Sequence, residues 1–105
     1  MKIKIFERGY LEFDNGSYIS SEHSPDCCEY NYADFTQLDD IAIETDFKEP
    51  LTFEVVDDCG FRFGNLPNKM FFVPCYSEQN GYYSFLMDIF YNGDCMIEDV
   101  YGKTV

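Results

Sequence analysis

The chain has 105 residues, of which 46% are hydrophobic and 19% aromatic, and it carries 20 Asp and Glu against 7 Lys and Arg, a net charge of −13. A single domain over residues 1–105 with one core is expected at that length, and so many aromatics argue against a disordered acidic tail. The charge disfavours direct binding to nucleic acid, which is driven by Lys and Arg releasing counterions from phosphates, and favours a partner with a basic surface.

Asp88 interrupts the longest apolar run, which leaves nothing near the ~20 residues that span a bilayer. The N-terminus alternates instead of forming the apolar block of a signal peptide, so a cytoplasmic place in the host cell and no membrane partner are expected.

In chain order, residues 2–8 alternate lysine and isoleucine, the pattern of a half-buried strand. Residues 10–13 and 17–20 flank Asp14-Asn15-Gly16 and predict a hairpin, because Asn and Gly tolerate the positive φ of tight turns. A polar loop with a break at Pro25 follows, and residues 30–35 predict another strand. Asp34 and Gln37 have capping-box spacing, which predicts a short helix over about residues 36–42.

Residues 51–57 are β-branched and aromatic and predict a strand, turned at Asp58-Cys59-Gly60 into a return arm at Phe61-Arg62-Phe63. Residues 64–68 read as a loop. Two apolar runs within residues 70–91, joined by a polar turn at residues 77–81 that contains Asn80-Gly81, predict a long hairpin. Asn92-Gly93 predicts a further turn into residues 95–101, where strict alternation sets Met96, Glu98 and Val100 against Cys95, Ile97 and Tyr101. The expected fold class is therefore α+β, mostly antiparallel β, with a three-stranded β-meander over residues 70–101 and at most one or two short helices.

Five cysteines, at 27, 28, 59, 75 and 95, make no even framework and are expected to be reduced, with Cys75 and Cys95 buried. His23, Cys27 and Cys28 are the right residue types for a metal site, and Cys59 would complete one only through the fold. Adjacent cysteines diverge too far to chelate easily, so a tied-down polar loop is the favoured reading of this cluster. A catalytic thiol with His23 as its base lacks any visible oxyanion hole, so no catalytic residue and no cofactor are expected.

The acids are unevenly placed: residues 22–58 hold twelve of them and one base, Lys48. The order of an EF-hand loop is absent. A solvated surface is one reading of this segment. The other is a partner-binding acidic face made by Asp34, Asp39, Asp40, Glu44, Asp46, Glu49, Asp57 and Asp58, with Tyr30 and Tyr32 as aromatic contacts.

Asp26-Cys27-Cys28-Glu29, followed by Tyr32-Ala33-Asp34, and the later Asn80-Gly81-Tyr82-Tyr83-Ser84 resemble a family of small uncharacterised phage and bacterial proteins. Gln79 stands where that family tends to have Ser. The resemblance implies a phage or mobile-element origin and carries no activity with it. Together with the charge, it sets the expectation of a small non-enzymatic binding protein, in its concrete form an anti-CRISPR or anti-restriction inhibitor that mimics nucleic acid in a basic groove. A metal-binding or thiol-dependent protein using His23, Cys27 and Cys28 is the alternative, and a structural or assembly protein a further one.

Overall fold

The computed structural model describes residues 1–22, 30–56, 59–78 and 85–105, without the side chain of Glu22. Its strands are β1 (Ile3–Glu7), β2 (Tyr10–Phe13), β3 (Tyr18–Glu22), β4 (Tyr30–Ala33), β5 (Thr52–Val56), β6 (Gly60–Asn65), β7 (Lys69–Glu78), β8 (Leu86–Tyr91), β9 (Asp94–Tyr101) and β10 (Lys103–Thr104). A 3₁₀ turn, Phe35–Gln37, and a five-residue helix α1, Asp40–Glu44, lie between β4 and β5. The first sheet has the order β1-β2-β3-β8-β9; the second runs β10-β7-β6-β5, with β4 also paired to β7. Every pairing is antiparallel except β10 with β7. The fold is mostly antiparallel β, and among the described residues the one α-helix is α1.

The predicted turns at two of the Asn-Gly sites are present. Asn92 (φ 52) and Gly93 (φ 87) both take positive φ between β8 and β9, the requirement of a two-residue hairpin turn. Gly16 (φ 87) closes the β2–β3 turn, where Asn15 Oδ1 accepts from the Ser17 amide at 3.0 Å.

The long hairpin over residues 70–91 does not form. Its arms lie in different sheets: β7 pairs with β6, β4 and β10, and β8 pairs with β3 and β9. The C-terminal meander thus reduces to the β8–β9 hairpin. An apolar alternating strand is satisfied by any sheet that buries its face, and β7, ten residues long, divides its length between partners. Of the turn that suggested the hairpin, residues 77–81, Ser77 and Glu78 belong to β7, and residues 79–81 lie outside the described residues.

Three smaller expectations also change. The predicted helix breaks at Leu38, which is extended (ψ 139), because Asp39 starts a new helix by accepting from the Ala42 amide at 2.9 Å. On β1 only Ile3 is buried; a bulge between Ile3 and Ile5 breaks the alternation and leaves Ile5 and Phe6 exposed. On β9 a left-handed residue, Asp99 (φ 59), inserts an extra position, so Ile97 and Val100, three apart, both face inward; a second register shift, between Ile89 and Phe90, sets Cys95 opposite Phe90, exposed instead of buried.

One core joins the sheets, with Leu11, Phe13, Ile19, Met87, Ile89 and Val100 from the first and Phe61, Phe63, Val73 and Cys75 from the second. Phe47, from the segment after α1, plugs between them with ring centroids 5.6 Å from Phe13 and 5.5 Å from Phe63. No helix is long and apolar enough to cross a membrane.

Candidate protein-binding face

Several acids of the middle segment are engaged within the fold. Asp34 is buried and caps the 3₁₀ turn, accepting from the Thr36 amide at 3.1 Å, from the Thr36 hydroxyl, and from Gln37 Nε2 at 3.2 Å. Burial pushes its carboxyl up, but these donors outweigh it and hold the group below the usual Asp value. Asp39 caps α1. Asp46 accepts from the Met1 amine at 2.7 Å, and that bond and charge lower its carboxyl. Glu49 accepts from the Tyr91 hydroxyl at 2.6 Å and from Ser17 Oγ at 3.3 Å.

Tyr32 is likewise no surface anchor. It is 3% exposed, donates to Glu78 Oε1 at 3.3 Å, and lies beneath the Arg8 guanidinium at 5.1 Å. Tyr30 packs its ring on Tyr32 at 4.7 Å and keeps 46% exposure. Asp40 and Glu44 remain exposed on α1, beside an exposed Ile41. Asp57 and Asp58, and the cluster of His23, Cys27 and Cys28, lie outside the described residues. Among the described residues no three His, Cys, Asp or Glu gather as metal ligands.

A face that the linear sequence hides is assembled by register on the outside of the first sheet. Leu11, Phe13, Ile19, Met87 and Ile89 point into the core, so their strand neighbours point out. One row across the sheet pairs Glu7 with Tyr10, Tyr10 with Ser20, Ser20 with Phe90, and Phe90 with Cys95. The next pairs Ile5 with Glu12 and Glu12 with Tyr18. Asp88, Leu86 and Tyr101 extend the face along β8 and β9.

Tyr10 and Tyr18 stack at 5.8 Å, and Phe85 stacks on Tyr101 at 6.0 Å. Tyr10 donates to Glu12 Oε1 at 2.6 Å, and this bond, with the carboxylate's charge, pushes its phenol up to about 12. The Ser20 hydroxyl is buried with no hydrogen-bond partner among the described residues. None of these paired positions holds Lys or Arg, and the exposed Lys4 sits in the β1 bulge beside Ile5 at the sheet's edge. The signal in the sequence was every second residue of β1, β2 and β8, invisible while the strand partners were unknown.

The outside of the second sheet is different. Glu54 pairs with Arg62 and Arg62 with Phe72 in register, and Arg62 Nε donates to Glu54 at 2.6 Å. Further along, Gln37, Cys59, Phe72, Pro74, Cys75, Tyr76 and Lys103 line an open cavity of about 450 Å³.

No protein-family model matches this chain, and neither does any curated protein or solved structure.

Proposed function

We propose that this protein is a non-enzymatic binding protein whose partner presents a basic, nucleic-acid-binding surface, and that the outer face of the first sheet is what it presents to that partner. The observation that carries this reading is the row structure of that face: Glu7, Glu12 and Asp88 stand among Tyr10, Tyr18, Phe90 and Tyr101, and none of these paired positions holds a base. Arginine is the side chain such a surface suits, since it pairs with carboxylates and stacks on tyrosine faces, each contact worth roughly 0.5–1 kcal/mol where exposed. Among the described residues the side-chain ion pairs engage only Arg8 and Arg62, so the acid excess is left largely unneutralised and available to steer a basic partner.

Inhibition of a nucleic-acid-handling defence enzyme, of the anti-CRISPR or anti-restriction kind, is the concrete form of this reading, and it rests on the charge and on the sequence resemblance. Neither the Asp26-to-Glu29 motif nor the Asn80-to-Ser84 turn is among the described residues, so that resemblance draws no support from the fold.

The test is competition. An arginine-rich peptide bound to labelled duplex DNA is titrated with the protein at low and moderate salt. Displacement of the DNA that weakens steeply with salt is expected. Indifference of the peptide–DNA complex to the protein at low salt would overturn the reading.

A further inference from the structure

We propose that Cys59 and Cys75 form a thiol pair that accepts a low-molecular-weight disulfide such as oxidised glutathione and closes to an internal disulfide. The register of β6 and β7 pairs Gly60 with Pro74, and its next step sets Cys59 opposite Cys75. The Cys75 amide donates to the Cys59 carbonyl at 2.8 Å, which ties the two residues side by side across the strands. Antiparallel cross-strand neighbours hold their Cα atoms about 4.5–5.5 Å apart, inside the span of roughly 4.4–6.8 Å that a disulfide bridges. Both cysteines are free, and both residues border the open cavity beside β7, with the Cys75 side chain turned into the core.

The two cysteines differ in a way that orders the chemistry. Cys59 is partly exposed, immediately before β6, with a φ of 54 in the left-handed region. Cys75 is fully buried. Lys103 lines the same cavity and gives it a cation, which suits an anionic peptide disulfide.

Cys59 therefore reacts first. Its thiolate attacks one sulfur of glutathione disulfide, the S–S bond breaks, and one glutathione leaves as thiolate. Cys75 then loses its proton to solvent and attacks the Cys59 sulfur, which displaces the second glutathione. The two protein thiols are oxidised by two electrons and one glutathione disulfide is reduced to two thiols. Burial pushes the Cys75 thiol up to about 12, which keeps its thiolate scarce and makes closure the slower step.

The test incubates the folded, full-length protein with oxidised glutathione, digests it without reduction, and maps the peptides by mass. A linked Cys59–Cys75 peptide is expected in the native sequence, and glutathione on Cys59 is expected to rise severalfold in Cys75→Ala. Glutathione that persists on Cys59 equally in both proteins would overturn the proposal, as would an unmodified Cys59. Cys59→Ser provides an independent arm that leaves the core untouched: Cys75 should stay unmodified there. Modification of Cys75 at the native rate in that variant contradicts the ordered pair.

Discussion

The outer faces of the two sheets have the same period-two geometry and opposite handling of charge. On the second sheet Glu54 meets Arg62 directly across the β5–β6 pair and is neutralised there. On the first sheet Glu7 meets Tyr10 and Glu12 meets Tyr18 across their strands, and the side-chain donor to these acids among the described residues is a tyrosine hydroxyl, that of Tyr10. An acidic protein can therefore carry its excess without spreading it evenly. What makes a face distinctive is which residue the register sets opposite each carboxylate, and the acid-dense middle segment shows the converse, with Asp34, Asp39, Asp46 and Glu49 consumed by caps, an amine and hydroxyl donors.

The contrast needs both sheets held on one core, and the largest effect is expected there. Phe63→Ala removes a ring that meets Phe13, Phe47, Phe53 and Phe61, and should cost about 3–5 kcal/mol in urea unfolding. A loss below ~1 kcal/mol would mean the sheets do not share that core.

Asp34→Asn tests whether the buried acid is structural. It weakens the acceptor that caps the 3₁₀ turn, and a loss of about 0.5–2 kcal/mol near neutral pH is expected. The native carboxyl titrates below its ordinary value, so its contribution is present above the unfolded-state value and disappears as pH falls through the folded one. Acid unfolding curves of the variant and the native protein should therefore converge at low pH. Curves that stay parallel would remove Asp34 from the fold's electrostatics.

On the second sheet, Glu54→Gln breaks an exposed ion pair and should cost about 0.2–1 kcal/mol, less at high salt. A salt-insensitive loss would mean that packing, not charge, matters at that pair.

The smallest change in stability is expected on the first sheet. Glu12→Gln should leave unfolding nearly unaltered while it moves the Tyr10 phenol from about 12 back towards the ordinary tyrosine value of 10.0, read as tyrosinate absorbance. Because the native phenol is raised, its contribution to folding is present below the unfolded-state value and is lost as pH climbs through the folded one. An unmoved titration would break the link between Tyr10 and Glu12 on which the face is built.

Much of the fold was legible where the signal is local. Asn92-Gly93 and Gly16 take the positive φ that their turns need, and TFEVV at residues 52–56 admits little but a strand. What failed was partner choice. The arms over residues 70–91 carry apolar alternation that any sheet satisfies, and nothing local in them says that β7 joins β6 while β8 joins β3. The bulge at Asp99, which turns both Ile97 and Val100 inward, is equally silent in the sequence. The same blindness hid the outer face, since Glu7, Tyr10, Ser20 and Phe90 come together only through three strand pairings. The acid count in residues 22–58 drew attention to a segment whose acids are partly committed to the fold.

The central claim is that the partner meets the first sheet's outer face. Titration of isotope-labelled protein with an oligoarginine peptide at low salt, followed by amide NMR, tests it most directly. The account predicts shifts concentrated at Glu7, Tyr10, Glu12, Tyr18, Asp88 and Phe90. Shifts confined to α1, where Asp40 and Glu44 flank Ile41, or to Glu54 beside Arg62, with the first sheet unchanged, would contradict it.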